Sequence, residues 1–466
     1  MTSDAVRCAA EQATEAALDQ ALGASAPSGT VWVALSGGPD SVALLLAAVR
    51  RRSRGLLPRL RAVHVDHGLQ APSTRWAELC REITRTHRVA LRRSRVDARP
   101  GPGESPEAAA RRARYQALAR CLRPGDVMLT GHHRDDQAET VLLQLLRGAG
   151  RAGLAAMPPV RALGSGRLVR PFLALARERV RSSLPAALAE RLVDDPTNAD
   201  GVLDRSYLRT VVMPHIEARW PAAPRVIARG AVTAARDARL LDGLGRRDLE
   251  AAGDGDGLRC AALLAMDAER AHNALRVWLL DSAGMRAGDR VIARIWWQLV
   301  VPPARAVGEV RSGAVRVRRY RDRLEHVVDA PADDRTRLAN RTATTPPPPR
   351  CWAPPEAIAL AHGVLWAEPA HGEGLAAAAL AGHRVEIRLR AGGERCRPAG
   401  RRHHQRLKVL FQERGVAPWL RPHLPLVYVG DEIAAVADLW VCAGFVAATG
   451  EPGWRLRWRP GEAVGC

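Results

Sequence analysis

A glycine-rich loop between an apolar run and a helical pattern constrains this chain most. It comprises Ser36, Gly37, Gly38, Pro39, Asp40 and Ser41. The apolar residues 31–35 before it predict a buried strand, and the residues after it predict a helix from about 41 to 52. Two glycines let backbone N–H groups approach an anion closely, and the helix N-terminus adds partial positive charge. We therefore predict that the loop binds phosphate.

The composition of the loop excludes the commonest phosphate-binding loop. A Walker A loop ends in Gly-Lys-Ser or Gly-Lys-Thr, whereas the chain has a single lysine, Lys408. Asp40 would repel a bare phosphate, so we predict that it holds Mg²⁺ against one. A generic Gly-Gly turn is the alternative. The position of the loop between a strand and a helix argues against that alternative.

The first 215 residues alternate apolar runs with helical stretches. We predict strands at 31–35, 60–65 and 127–130, and helices at 41–52, 76–89, 104–119 and 135–147. This alternation is typical of an α/β fold in which helices cover both faces of a parallel sheet. Ligands of such sheets bind beyond the carboxyl ends of the strands, where the loop lies.

A second polar motif follows the last of these strands. It reads His132, His133, Arg134, Asp135, Asp136, Gln137, Ala138, Glu139 and Thr140. On a helix Asp136 and Glu139 share a face, which could hold Mg²⁺ or receive an ammonium group. A solvated helix N-terminus is the plainer alternative. A zinc site is disfavoured because cysteine partners and H-E-x-x-H spacing are absent.

The rest of the chain is basic and organised differently. Lys and Arg number 70 against 49 Asp and Glu, a net charge of +21, which favours a polyanionic partner such as nucleic acid. Codon bias explains arginine in place of lysine but not the surplus of cations. Ten of the 12 tryptophans lie from Trp220 onward, and bases could stack on such side chains, although any single indole is more simply explained as core.

The pattern after Pro214 predicts helices at 222–249, 261–280 and 291–300, a pair of basic strands at 313–328, and strands at 385–389, 425–429 and 433–436. Successive prolines at 346–349 indicate a linker. We therefore predict a catalytic domain at 1–215, a middle domain at 216–335, a proline-rich linker region at 336–383 and a C-terminal domain at 384–466. Eight scattered cysteines and the absence of a signal or membrane segment predict a cytoplasmic protein without a membrane partner.

Two motifs carry a family resemblance. The loop 36–41 resembles the PP-loop of N-type ATP pyrophosphatases, and the motif 132–140 resembles that of tRNA(Ile)-lysidine synthetases. Segments 63–69, 107–115 and 195–198 are also similar to that family, although Ser206 stands where it commonly has Asn. The resemblance implies a Rossmann-like PP-loop ATPase domain with a parallel sheet, a mostly helical middle domain and a small α+β C-terminal domain.

The resemblance also implies a reaction. ATP, with Mg²⁺, would adenylate the wobble cytidine of a CAU-anticodon isoleucine tRNA, and L-lysine would displace AMP. A homodimer is compatible with the family. The nucleotide would contact His64 and the loop residues Ser36, Gly37, Gly38, Pro39, Asp40 and Ser41. The catalytic set would be Asp40 as the Mg²⁺ ligand, Arg111, His132 as base, and Asp136 with Glu139 for the lysine ammonium or the metal. The tRNA would contact Arg205, Arg209, Arg316, Arg318, Arg319, Trp419 and Arg421.

Three other activities compete with this interpretation. A tRNA thiolase on the same scaffold would need reactive cysteines or an iron–sulfur cluster near the loop, and the scattered cysteines do not supply them. A small-molecule amidotransferase or ligase would not need so basic a C-terminal half. An RNA-binding protein with an inactive nucleotide fold would have no need of two intact motifs.

Overall fold

The computed structural model describes residues 3–23, 28–57, 59–66, 73–101, 105–192, 204–254, 257–303, 307–328 and 348–460. The chain divides into two compact units, Met1–Leu241 and Asp242–Cys466. Within the described ranges no helix combines the length and apolar character needed to cross a membrane.

A six-stranded sheet forms the centre of the first unit. Its strands are β1 Val31–Ala34, β2 Leu60–Asp66, β3 Ala90–Arg95, β4 Val127–Leu129, β5 Val160–Leu163 and β6 Gly166–Val169. They are ordered β3-β2-β1-β4-β6-β5, and all neighbours are parallel except β5 and β6. The predicted parallel sheet is thus confirmed.

Helices cover both faces of this sheet. The helices of this unit are α1 Ser3–Gly23, α2 Pro39–Ser53, α3 Ser73–Thr86, α4 Pro106–Ala119, α5 Arg134–Leu146, α6 Arg151–Leu154, α7 Arg177–Arg181, α8 Ala186–Ala189, α9 Asp204–Tyr207, α10 Met213–Arg219 and the first part of α11 Ala223–Ala252, which ends in the second unit. Val31 and Val33 of β1 join one buried core with α1, α2 and α3, while Trp32 joins a second core with α4. Alternate residues of one strand therefore support opposite layers.

Two parts of the sheet, β3 and the hairpin of β5 and β6, were not predicted from the sequence. Strand β3 is a polar edge strand, and the run from 90 to 95 contains three arginines and no alternation of apolar residues. Charged side chains on an edge strand protect its open backbone groups from other chains. The hairpin of β5 and β6 is short and also lacked a clear pattern. The predicted third strand, 127–130, is therefore the fourth strand of the structure.

The second unit starts with helices and an antiparallel sheet. The helices are α12 Cys260–Leu264, α13 Ala268–Ala283 and α14 Asp289–Ile295, followed by a π-helical turn at Trp296–Val300. The strands are β7 Gly253–Asp254, β8 Gly257–Arg259, β9 Val307–Ser312, β10 Val315–Tyr320 and β11 Arg323–Val328. Strands β10 and β11 form a hairpin, which confirms the predicted basic strand pair, and β9 flanks β10 on its other side.

Two further sheets form the C-terminal part. Their strands are β12 Arg350–Cys351, β13 Ile358–Leu360, β14 Gly363–His371, β15 Leu375–Ala376, β16 Val385–Arg388, β19 Leu426–Val429, β20 Glu432–Val436, β21 Trp440–Val441 and β22 Pro452–Pro460. A small two-stranded sheet, β17 Arg395–Cys396 with β18 Gln405–Arg406, and helices Ala377–Leu380 and Leu407–Arg414 complete it.

The predicted linker region 336–383 is too long. Residues 329–347 lie outside the described residues. Strands β13, β14 and β15 all lie inside the predicted linker, and β14 pairs with β22 over nine residues. The proline content of the region hid these strands, but β14 itself alternates buried and partly exposed residues over most of its length.

Strand β10 also places one arginine in the core. Val315, Val317 and Arg319 point inward, and Arg319 is 2% exposed. Its guanidinium donates to the carbonyl oxygens of Val300 at 2.9 Å and Pro302 at 2.7 Å, and also to that of Leu299. It therefore satisfies backbone acceptors at the end of the π-helical turn.

We expect Arg319→Met to destabilise the second unit by about 3 kcal/mol, because several buried carbonyls lose their donor. Urea unfolding followed by tryptophan fluorescence measures this loss. The matched control is Arg316→Met, on the other face of the same strand. Equal unfolding midpoints for the two variants would contradict the bracing role of Arg319.

Candidate active site

The loop 36–41 is closed by its own hydroxyl groups. Ser41 Oγ donates to the Gly38 carbonyl at 2.8 Å and accepts from Ser36 N at 3.2 Å. Gly37 has a φ of +94°, a conformation that strongly favours glycine. Pro39 then begins α2 with its φ fixed for a helix. The loop is thus built before any ligand binds and leads directly into the helix N-terminus.

Gly131, which sequence analysis did not single out, lies directly against this loop. A Cβ at Gly131 would stand 2.7 Å from the Asp40 carbonyl oxygen and 3.2 Å from Ser41 N. Any side chain there would push the loop away from the end of β4. The only signal in the sequence was its position between β4 and the paired histidines.

Asp40 occupies a partly buried position at the start of α2. Its Oδ2 lies 3.8 Å from His133 Nε2, and its Oδ1 lies 3.6 Å from Arg181 Nε. Oδ1 is buried and accepts no hydrogen bond from the described part of the chain. Burial raises the pKa of Asp40, and His133 and Arg181 oppose that shift. An acceptor oxygen without a donor suits a cation ligand, so the residue fits the predicted Mg²⁺ contact.

Groups of three or more metal-ligating side chains are absent from the described residues. A single carboxylate is nevertheless sufficient for Mg²⁺ when phosphates and water supply the other ligands. Asp40 alone would therefore anchor the ion on the protein side.

The paired histidines have different tasks. His133 caps α5: its Nδ1 accepts from Asp136 N at 3.3 Å, and its own N–H donates to Asp136 Oδ2 at 2.9 Å. Buried at 1% exposure, it lies between Asp40 and Asp136. His133 therefore connects the loop to the second motif, a role that the residue pattern alone did not reveal.

The carboxylates of α5 are held by arginines from later segments. Arg209 donates to Glu139 Oε1 at 2.7 Å and Asp136 Oδ1 at 2.9 Å, and Arg205 donates to Glu139 Oε2 at 3.0 Å and Asp136 Oδ1 at 3.1 Å. Arg177 lies 3.3 Å from Glu139. Burial would raise the pKa of Asp136, but the charges of His133 and Arg205 hold it well below its usual range.

This network bears on the predicted role of Asp136 and Glu139 toward the lysine ammonium or the metal, which stays a prediction. Glu139 is 2% exposed and already pairs with three guanidinium groups, so an incoming lysine ammonium would have to displace one of them. Arg205 and Arg209, predicted as separate RNA contacts, lie in the same cluster as Asp136 and Glu139. The predicted closing element at 195–198 lies outside the described residues.

His132 faces a second group of arginines. Its Nδ1 lies 2.9 Å from Thr130 Oγ1. Burial holds the pKa of His132 well below its usual value; Asp136 opposes this shift, while Arg114 and Arg170 add to it. The lowered pKa favours the neutral ring, which is the form that the predicted base requires, and it also makes that ring a weaker proton acceptor.

His64 and Arg111 differ in accessibility. His64 is buried, and its Nδ1 lies 2.9 Å from the carbonyl oxygen of Leu35, the residue before the loop. It therefore stabilises the residue that leads into the loop. Its predicted contact with the nucleotide stays a prediction. Arg111 is exposed on α4, with its guanidinium carbon 5.1 Å from the Tyr115 ring centre.

Comparison with known proteins decides the family. A family model described as a PP-loop domain matches residues 10–216, and models of the TilS substrate binding and C-terminal domains match 258–325 and 385–458. The tRNA(Ile)-lysidine synthase of Methylococcus capsulatus is 38% identical over 446 residues, which cover 93% of this chain and 97% of that protein. This chain belongs to the tRNA(Ile)-lysidine synthase family.

A second relative agrees. The tRNA(Ile)-lysidine synthase of Alkalilimnicola ehrlichii is 39% identical and spans 92% of this chain and 93% of its own. Among solved structures, the U34-tRNA thiolase NcsA of Methanococcus maripaludis is 16% identical and covers 49% of this chain and 79% of its own, with a TM-score of 0.39, too low to argue from. Family membership makes the protein a ligase that uses ATP through its PP-loop domain and acts on tRNA.

In the second unit of this synthase, the predicted tRNA contacts divide into two groups. Arg318 pairs with Glu309 at 2.6 Å, and its guanidinium carbon lies 5.4 Å from the centre of the Trp419 ring. Both line a cavity of about 470 Å³ together with Val307, Gly308 and Pro418. Arg316 lies on the same outer face of β10. All three residues are half-buried, and their predicted contacts with tRNA stay predictions.

Arg319 and Arg421 are not accessible. Arg319 braces the core of the synthase as described above. Arg421 is 6% exposed, and its guanidinium donates to the Val416 carbonyl at 2.8 and 2.9 Å and to Tyr320 Oη at 3.2 Å. The prediction that these two side chains bind tRNA is therefore corrected, because their donors are used inside the protein. Alternation along β10 could have indicated this for Arg319.

The phenol of Tyr115 lies among arginines of the first unit. Burial alone would raise its pKa, but the charges of Arg111, Arg114 and Arg170 lower it to about 8. Since the chain has only four tyrosines, one early phenolate can be resolved. Ultraviolet absorbance should show a transition near pH 8 that Tyr115→Phe removes, whereas a free tyrosine has a pKa of about 10.

The matched control is Tyr428→Phe, because burial raises the pKa of Tyr428. This variant should keep the transition near pH 8. A wild-type titration in which all phenols ionise together at high pH would show that the arginine cluster does not lower the pKa of Tyr115.

Proposed function

We propose that this enzyme joins L-lysine to carbon 2 of the wobble cytidine in a CAU-anticodon isoleucine tRNA. The reaction passes through an adenylated cytidine and gives lysidine, AMP and pyrophosphate. The observation that carries the proposal is the juxtaposition of a preformed loop, an acceptor oxygen of Asp40 and the guanidinium groups that pair with the carboxylates of α5. The expected homodimer stays a prediction.

In the first step the cytosine O2 attacks the α-phosphorus of ATP, and the bond to pyrophosphate breaks. The loop residues 36–41 and the N-terminus of α2 would bind the departing phosphates. Asp40 would hold Mg²⁺, which neutralises charge on those phosphates when it is bound. Arg205 and Arg209 stay protonated and would stabilise the negative charge that develops. Asp136 and Glu139 keep these arginines in position.

In the second step the lysine amine attacks carbon 2 of the cytidine, and the bond to the AMP oxygen breaks. The attacking nitrogen must lose a proton. His132 is the candidate acceptor, because its lowered pKa favours the neutral ring and its Nδ1 is oriented by Thr130. Arg111 would neutralise the phosphate of the adenylated base.

The cysteines of the described residues do not favour sulfur transfer. Cys80 lies below the loop, 3.6 Å from His64 Nδ1, but burial raises the pKa of its thiol to about 12. A thiol with so high a pKa is a poor nucleophile at neutral pH. The thiolase alternative is therefore not supported by the arrangement of the site.

The function is tested by incubating the protein with ATP, Mg²⁺, radiolabelled lysine and unmodified isoleucine tRNA with a CAU anticodon. We expect label on this tRNA that depends on ATP, and none on methionine tRNA with the same anticodon. Release of pyrophosphate without transfer of lysine would sink the proposal. That result would retain the adenylation step but require a nucleophile other than lysine.

A second prediction concerns the first step alone. Asp40→Asn removes the charge but keeps the shape, so pyrophosphate release should fall by at least about 100-fold. Binding of tRNA, measured by filter retention at moderate salt, should change less than about twofold, since the substitution lies at the nucleotide site. A parallel loss of tRNA binding would contradict the proposed division of roles.

A further inference from the structure

A cavity of about 1190 Å³ opens at the amino-terminal edge of the sheet in the first unit. It is lined by the residues just before β1, at the starts of β2 and β3, and just before β4, among them Thr30, Leu60, Ala90 and Asp126. Because these strands are parallel, the loop 36–41 lies at the other edge, and β2 alone separates the two edges by roughly 20 Å. The cavity is thus separate from the candidate active site.

The lining of this cavity is strongly basic. It contains Arg52, Arg59, Arg61, Arg88, Arg92, Arg120 and Arg123. We call it the arginine cavity. Its single carboxylate, Asp126, is 6% exposed and accepts from Thr30 N at 2.7 Å and from Arg123 N at 3.1 Å. Backbone amides therefore use this carboxylate, and it pairs with none of the guanidinium groups.

Two of the seven arginines are engaged within the protein. Arg52 donates to the carbonyl oxygens of His87 at 2.6 Å and Arg88 at 2.9 Å. It thereby braces a turn in which Arg88 has a φ of +49°, an uncommon conformation for a residue with a side chain. Arg61 lies over the Trp32 ring at 5.6 Å.

The other five arginines of the cavity are exposed and form no ion pair with a carboxylate of the described chain. Like charges gathered around one cavity repel each other, and a bound polyanion would relieve that repulsion. Without a bound anion, the clustering of these arginines around one cavity would only add repulsion.

The shape of the lining favours phosphate groups over bases. Guanidinium groups match phosphate oxygens in a bidentate geometry. The only indole of the lining, Trp32, is 5% exposed, so the cavity offers no aromatic surface on which a base could stack. We infer that the arginine cavity binds the sugar–phosphate backbone of the tRNA substrate, away from the nucleotide that reacts. Binding at the arginine cavity rests on the proposed function only in that tRNA is the substrate; it does not depend on the transfer of lysine.

The test compares two double variants of the full chain. Arg92→Gln with Arg120→Gln removes two charges from the cavity. The control, Arg7→Gln with Arg179→Gln, removes two charges from the same unit outside the cavity. Filter binding of unmodified tRNA across a KCl series should show about tenfold weaker binding for the cavity variant, and a slope of log K against log salt that is about two units smaller.

The kinetic result expected is a raised KM for tRNA with an unchanged kcat, and both variants should keep the wild-type melting temperature. Equal tRNA affinity and equal salt slope for the cavity variant and the control would overturn the inference. Binding of tripolyphosphate is measured for the same variants. If the cavity variant lost tripolyphosphate binding but kept its tRNA affinity, the inference would be overturned and a small polyphosphate would be favoured as the ligand. Since filter binding needs no lysine, a failed lysine assay with these binding results would reject the proposed function alone.

Discussion

The candidate active site depends on a network of ion pairs between the carboxylates of α5 and arginines in the segments that follow it. Asp136 and Glu139 would be costly to bury alone, and so would Arg205 and Arg209. Together they satisfy each other's charges and hydrogen bonds across more than 60 residues of sequence. Loss of Glu139 would leave Asp136 as the one carboxylate of this pair that still holds Arg205 and Arg209, so the position of the segments that carry these arginines depends on α5.

The sheet topology brings this network to the phosphate loop. Strands β1 and β4 are direct parallel neighbours, and their carboxyl ends lead into the loop 36–41 and the N-terminus of α5. Gly131 allows the two connections to touch, and His133 lies between Asp40 and Asp136. A small residue and one buried imidazole thus connect two motifs that are almost 100 positions apart in the chain.

The sequence predicted those parts of the site that form from local patterns. Both motifs occur as continuous runs next to apolar strands, and the structure places them at the same edge of the sheet. Arg177 and Arg181 could not be found in this way, because nothing in their local sequence separates them from the many other arginines. Arg421 begins a 3₁₀ helix of 3 residues, which is too short to show a periodic pattern, so its burial was equally hidden. Strand β3 escaped because edge strands need no apolar alternation.

The near absence of lysine has a chemical consequence for the site. Guanidinium groups stay protonated, so the arginines can attract phosphates but cannot transfer protons at neutral pH. Proton transfer must then fall to other groups. After burial, the positive field of Arg114 and Arg170 favours neutral His132, and with Arg111 it also favours ionised Tyr115. One cluster of fixed cations therefore lowers the pKa of both groups, which favours their deprotonated forms, and the same charges attract a polyanionic substrate.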